Sequence, residues 1–345
     1  MINHRGPEFA ELIGELHEGL RYAFRTENDV LTLTGSGTSG MEAAVVNHVG
    51  PGDRVLVVTV GVFGERFLEL VRIYGGDPVH LGFAYGSAAD PARIDDALAA
   101  DPGIRAVLVT HNETSTGVTN PLEEIAQVVR ARDRLLIVDA ISSLSSIALE
   151  TDAWGLDVVV SGSQKGWMTA PGLAFVSVSD RAWEAQDRCT TPRMYLDLRR
   201  AQRSQEAGQT PWTPAISLMF QLRQALRMLR AEGIEAVWQR HHATAERVRD
   251  GLEALGLELY AAEGYRSDTV TAMLPPEGLA ADEIRAIART DYDTVFAGGQ
   301  ASLGGQIIRF GHLGYTTDED VRGGLEALRG SLAKLGHAVP AAAGG

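Results

Sequence analysis

The chain has 345 residues and a single cysteine, Cys189. One thiol excludes an intrachain disulfide and any site built from several thiolates, and it suits a reducing compartment. Long apolar runs are missing as well. Stretches such as 55–60 and 135–138 fall far short of the roughly 18 residues that suggest a membrane span, so no insertion is expected. The opening Met1-Ile-Asn-His-Arg-Gly-Pro7 lacks a basic segment followed by an apolar core. No secretory signal is therefore expected, and the location read from the sequence is cytoplasmic. Positive charge is scarce, with 31 Lys and Arg against 45 Asp and Glu and a formal net charge of -14. Clustered Lys and Arg of the kind that bind phosphate backbones are not evident, so nucleic acid is not an expected partner. An acidic surface mainly favours solubility.

What is present is the composition of an ordinary globular protein, 45% hydrophobic and 22% charged. The length exceeds what one hydrophobic core usually supports, so a large domain and a smaller one are expected. Apolar, strand-like runs at 30–34, 54–60, 105–110, 135–139, 157–161 and 173–178 alternate with helical patterns such as 41–49, 65–74 and 122–132. Continuous apolar strands between helices indicate a sheet covered on both faces, hence an α/β domain with a mostly parallel sheet. From 215 to 255 the pattern is helical, and the remainder reads strand 269–274, helix 281–290, strand 306–310, helix 318–335. The expected division is a large domain over 1–235, including an N-terminal segment, a small C-terminal α+β domain over 236–337, and a frayed tail at 338–345.

Three places carry chemistry. Gly35-Ser-Gly-Thr-Ser-Gly40 lies between an expected strand and an expected helix, where backbone N–H groups and the helix dipole make an anion site. Turns of this composition are equally often just turns and helix caps. The segment lacks the closing Gly-Lys-Ser/Thr of a nucleotide loop and the dinucleotide spacing. Leu135-Leu-Ile-Val-Asp139 leaves a carboxylate at the C-terminal end of a buried strand, the edge where open α/β sheets place ligands. That Asp suits a cap, a magnesium ligand or a cofactor partner. In Asp157-Val-Val-Val-Ser-Gly-Ser-Gln-Lys165-Gly a lysine follows another apolar strand among small polar residues. Lysines are mostly solvated, but this one is placed for a depressed pKa and Schiff-base chemistry. A phosphate cradle, then a strand-end Asp, then a strand-end Lys are what an aldehyde cofactor with a pyridine ring and a phosphate requires.

With these and further motifs the chain resembles class V aminotransferases of the fold-type I pyridoxal-phosphate superfamily, in the alanine-glyoxylate and serine-pyruvate group. The motifs are His4-Arg-Gly-Pro-Glu-Phe9, Gly35-Ser-Gly-Thr-Ser-Gly-Met-Glu-Ala-Ala44, Gly61-Val-Phe-Gly-Glu-Arg66, His111-Asn-Glu-Thr-Ser-Thr-Gly-Val118, Val138-Asp-Ala140, Gly162-Ser-Gln-Lys165, Pro171-Gly-Leu-Ala-Phe175 and Ile308-Arg-Phe-Gly-His-Leu-Gly314. The resemblance implies that Lys165 carries pyridoxal 5'-phosphate and acts as general acid and base, and that Asp139 keeps the pyridine nitrogen protonated. It implies that Ser36, Gly37, Thr38 and Gln164 hold the phosphate. It places Phe63 on one face of the ring, Ile141 on the other and Thr114 near the phenolic oxygen. Packing roles fit these three as well. Arg309 matches the arginine that grips the substrate α-carboxylate with two parallel hydrogen bonds. Thr213 or Thr210, in Gln209-Thr-Pro-Trp-Thr-Pro214, is implied to reach the phosphate of a neighbouring subunit, hence a homodimer with active sites at its interface. The family normally opens with a Gly- and Pro-rich arm ahead of the His-Arg-x-Pro-Glu-Phe segment, and this chain starts almost directly at that segment.

The implied activity is transfer of an amino group from a small amino acid, of the alanine, serine or aspartate type, to a 2-oxo acid such as glyoxylate or pyruvate, in two half-reactions through a Lys165 Schiff base. Alternatives on the same fold are a phosphonate-type transaminase, a lyase, or a homologue without catalysis. A desulfurase would need a mobile catalytic cysteine, and nothing around Cys189 marks one. An NAD-dependent dehydrogenase would need a different glycine pattern.

Overall fold

The computed structural model describes residues 2–338, so the expected tail lies, apart from its first residue, outside them. The chain opens with α1 (Pro7–Phe24), whose Phe9, Leu12, Ile13, Leu16, Leu20 and Phe24 recur at helical spacing and are buried. There follow β1 (Asp29–Thr34), α2 (Gly37–His48), β2 (Arg54–Thr59), α3 (Val62–Ile73), β3 (Asp77–Gly82), α4 (Pro91–Ala100) and β4 (Ala106–Thr110). A two-stranded hairpin, β5 (Asn112–Glu113) and β6 (Val118–Thr119), leads to α5 (Leu122–Ala131), β7 (Leu135–Asp139), α6 (Thr151–Trp154), β8 (Val158–Gly162) and β9 (Leu173–Val178). Helices α7 (Asp180–Arg188), α8 (Leu198–Glu206), α9 (Ile216–Glu232) and α10 (Ile234–Ala254) come next. The chain continues with β10 (Val270–Met273), α11 (Ala281–Tyr292), β11 (Ala297–Gly298), β12 (Ile308–Gly311) and α12 (Asp318–Lys334).

Seven strands form one sheet in the order β1-β9-β8-β7-β4-β2-β3. Only β9 is reversed, antiparallel to both β1 and β8, while the other pairs are parallel. Strands β4, β8 and β9 are buried along their whole length, as expected for strands covered on both faces. One face packs against α1, α4, α5 and α9, the other against α2, α3, α7 and α8. Trp167, fully buried between Phe24 and Phe175, anchors the first of these layers. The second sheet, in the order β10-β12-β11, is antiparallel and shares an apolar core with α10, α11 and α12.

The structure departs from the sequence expectations in several elements. The helix expected over 41–49 starts at Gly37, because the Gly-Ser-rich segment supplies its first turn as well as its cap. The helical stretch at 215–255 is two helices, broken at Gly233, whose φ of 89° no helix accommodates and glycine adopts without strain. Helices α1, α4, α7 and α8, strand β3 and the β5–β6 hairpin were not anticipated.

Candidate active site

Because β1, β2, β4, β7 and β8 all run the same way, their C-terminal ends share one edge, the edge where α/β sheets collect ligands. The loops leaving it enclose a cavity of about 230 Å³. Ser36, Gly37, Thr38, Phe63, Thr114, Asp139, Ile141, Gln164 and Lys165, all expected from the sequence, line it. Arg66, Asn112 and Ser142, which were not expected, complete the wall.

Ser36 is the cap of α2, yet its side chain makes no capping bond and the first turn carries no acidic residue. The backbone N–H groups of Gly37 and Thr38 therefore lack a partner among the described residues, the condition of an anion-binding helix end. A Cβ at residue 37 would stand 2.7 Å from Cδ1 of Ile141, so glycine lets the cradle and the apolar wall meet.

Asp139 ends β7 and is 3% exposed. Its Oδ1 accepts the N–H of Ile141 at 2.9 Å, and no other hydrogen bond reaches its carboxylate among the described residues. Burial pushes the carboxyl up to about 7; Glu113 adds to the rise, while the Ile141 N–H, Arg66 and Lys165 oppose it. Lys165 follows β8 on a loop fixed by Ser163 Oγ donating to Ala170 at 2.8 Å and Thr169 Oγ1 donating to Ser163 at 2.8 Å. Its amine has no hydrogen-bond partner among the described residues. Burial draws it below the usual lysine value, opposed by Asp139 and reinforced by Arg309. The chain has only one other lysine, Lys334, which pairs with Asp291 at 2.6 Å on the surface.

Phe63 is held from behind. Its N–H donates to Oε2 of the fully buried Glu113 at 3.1 Å, as does that of Gly64, so Glu113 caps α3. Burial drives this carboxyl upward, against its Ser115, Gly64 and Phe63 donors. The Arg66 guanidinium lies over the Phe63 ring, 5.0 Å from its centroid, and Nη1 donates to Thr38 Oγ1 at 3.1 Å. Thr114 Oγ1 donates to Ser142 Oγ at 2.8 Å, and Ser142 in turn donates to the carbonyl of Asn112 at 2.8 Å. The Thr114 oxygen is thereby left as an acceptor beside the cavity.

Arg309 lies just outside the wall, on β12, 7% exposed. A buried arginine calls for an anion, but here Nε donates to Gly298 O at 2.9 Å and Nη1 to Thr114 O at 2.8 Å. These carbonyls satisfy donors without neutralising charge, and burial lowers the guanidinium from its ordinary value. Thr213 and Thr210 are not brought to the cavity. Thr213 is exposed, and Thr210 Oγ1 donates to Trp212 O at 2.7 Å. Cys189 lies at the opposite edge of the sheet, in a groove with Val55, Ala106 and Leu135 from the N-terminal halves of β2, β4 and β7.

A buried acid, an amine lowered by its surroundings and an uncapped helix end on one cavity suit acid–base work on a bound anion. The family profile described as aminotransferase class-V matches residues 1–322. The chain belongs to that family. It is 44% identical, over 97% of its own length and 88% of the other's, to a protein of Synechococcus sp. named "Soluble hydrogenase, small subunit". It is 37% identical to the L-aspartate–glyoxylate aminotransferase of Paracoccus denitrificans, over 97% and 86% of the two chains. The crystal structure of pyridoxamine-pyruvate aminotransferase from Mesorhizobium loti superposes with a TM-score of 0.94 at 32% identity, covering 98% of this chain and 88% of that one. The protein is thus an enzyme of the transaminase type with the fold of pyridoxal-phosphate fold-type I aminotransferases, and the family implies that cofactor.

Of the three additional wall residues, Arg66 was within reach of the sequence. It stands three residues after Phe63, one turn along α3, in a segment already marked as a motif. Asn112 likewise falls inside the 111–118 motif. Ser142 carried no such signal.

Proposed function

We propose that this aminotransferase uses pyridoxal 5'-phosphate to move the amino group of a small amino acid, of the alanine, serine or aspartate type, to glyoxylate or pyruvate. The observation that carries the reading is the pairing, on one cavity, of Asp139 with an unsatisfied carboxylate oxygen and Lys165 with an unpartnered amine. A buried carboxyl raised by desolvation is relieved by a cationic N–H donor, which a protonated pyridine nitrogen provides. The unpartnered N–H groups of Gly37 and Thr38 suit a phosphate. The residues present therefore fit the cofactor.

When bound, the cofactor supplies an aldehyde that condenses with amines and a ring that takes up the electron pair of a deprotonated Cα. Ser36, Gly37, Thr38 and Gln164 would hold the phosphate, Phe63 and Ile141 would cover the ring, and Thr114 would bond the phenolic oxygen. Asp139 would keep the ring nitrogen protonated. Lys165, already biased toward its neutral form, would take the proton from the substrate Cα and deliver it to the cofactor's aldehyde carbon, C4'. Arg309 orients the α-carboxylate with its unused Nη2.

Cytoplasmic location and a homodimer in which Thr213 of one chain reaches its neighbour's phosphate belong to the same proposal, as does a division between large and small domains at 235/236, in the first turn of α10. Among the described residues no helix is long and apolar enough to cross a membrane. The reactions named for the relatives favour glyoxylate and pyruvate as acceptors. The hydrogenase name of the Synechococcus relative suggests a second reading. Iron–sulfur clusters take several cysteine thiolates, which a chain with Cys189 alone does not supply.

The test is a half-reaction screen: the cofactor-loaded protein is mixed in turn with alanine, serine, aspartate and a phosphonate amine, and its visible absorbance is followed. Conversion by one carboxylate donor, reversed by glyoxylate or pyruvate, supports the reading. Conversion by the phosphonate amine alone would replace it with the phosphonate-type transaminase.

A further inference from the structure

Arg66 is a cation without a counter-ion. Its hydrogen bond goes to a neutral hydroxyl, Thr38 Oγ1, at 3.1 Å, and no carboxylate lies at ion-pair distance from it among the described residues. Its immediate neighbour Glu65 is engaged instead with Tyr85. The guanidinium is half-buried, on the cavity wall, with the Phe63 ring against one of its faces. Thr38, the residue it touches, belongs to the first turn of α2, where the Gly37 and Thr38 N–H groups are unpartnered among the described residues. Asp139, 3% exposed and with one free oxygen, lies across the same cavity and is too far to pair with Arg66. A positive side chain, a positive helix end and no resident anion converge on one end of the space, so that end carries charge for a ligand to neutralise.

We propose that Arg66 is a phosphate-positioning residue: through Thr38, and braced by the Phe63 ring, it supplies the cationic wall of the subsite that holds the phosphate ester of the cofactor. This rests on the cofactor reading above. It separates two jobs on α3, with Phe63 facing the ring and Arg66, one turn later, facing the anion.

The experiment compares two ligands that differ only in the ester, pyridoxal 5'-phosphate and pyridoxal, titrated by absorbance into the full chain freed of cofactor. In Arg66→Met the phosphorylated ligand should bind about 10- to 100-fold more weakly, the scale of a charge-assisted contact, while pyridoxal changes by less than about threefold. Arg66→Lys, which keeps a point charge, should recover part of the loss. Thr38→Val should weaken the phosphorylated ligand alone, by a smaller factor. Inorganic phosphate should raise the thermal midpoint of the wild-type chain more than that of Arg66→Met, a readout independent of the aldehyde. An equal loss for both ligands in Arg66→Met would overturn the proposal, since Arg66 would then act on the ring pocket through Phe63, and so would unchanged affinity for both. A wild-type chain that takes up neither ligand would sink the cofactor reading itself, an outcome distinct from failure of Arg66.

Discussion

Arg309 of the three-stranded sheet donates from Nη1 to the backbone carbonyl of Thr114, 2.8 Å away, and Thr114 lines the cavity at the edge of the seven-stranded sheet. The guanidinium is thereby fixed in plane by two carbonyls, with Nη2 unassigned. Arg309→Lys keeps the charge and loses the planar fork, so we expect KM for the amino donor to rise by about 10- to 100-fold, with a smaller change in kcat. Steady-state kinetics with each donor checks this. An unchanged KM would remove Arg309 from the substrate site.

Lys165 should be the point of covalent attachment. Borohydride reduction of the cofactor-loaded protein, followed by peptide mass analysis, should place the added mass on Lys165. Lys165→Ala should lower turnover by at least about 10²- to 10⁴-fold, the range of lost acid–base catalysis. Mass found on Lys334 instead would contradict the assignment.

Asp139 predicts a pH signature. Its folded pKa is raised to about 7 by burial, above the ordinary carboxyl value of 3.8. Between those values the folded chain holds a proton that the unfolded chain releases, so this group's contribution to stability falls as pH rises through the window. Asp139→Asn removes that term. The stability of the cofactor-free wild type relative to the variant should therefore decline from pH 4 to pH 7, by an amount on the order of a few kcal/mol. Chemical denaturation of both proteins across that range measures it; a constant difference would show that Asp139 does not titrate there.

Gly37 and Ile141 should be energetically coupled. In Gly37→Ala the new methyl meets Cδ1 of Ile141 at 2.7 Å, so cofactor affinity should fall, by about tenfold for overpacking on the order of 1–3 kcal/mol. Trimming the wall with Ile141→Val should return part of it in the double variant. Strict additivity of the two changes would mean that the cradle and the wall do not share this contact.

The parts of the site that the sequence made legible sit at strand ends. Strands β7 and β8 are buried on both faces, so they read as largely apolar runs, and the polar residues at or just past their ends, Asp139 and Lys165, stand out. Gly37 and its neighbours were legible as a Gly-Ser-rich turn between an expected strand and an expected helix. Arg66 sits in the 61–66 motif one turn after Phe63, but local patterning does not report its pairing with Thr38, 28 residues away on another helix. Asn112 and Ser142, 30 residues apart, meet only because β4 and β7 are adjacent and parallel. Helix α1 has apolar residues at helical spacing, but its first turn coincides with the 4–9 motif and its role of covering the sheet beside α9 is tertiary.

The scarcity of lysine has a practical reach. With Lys334 tied to Asp291 at the surface and Lys165 in the cavity, isotope labelling of lysine alone gives a sample with just two side-chain ammonium or amine resonances. One is a fixed external reference. The other is a reporter of occupancy and protonation at the reacting nitrogen, readable at each stage of turnover without altering any residue.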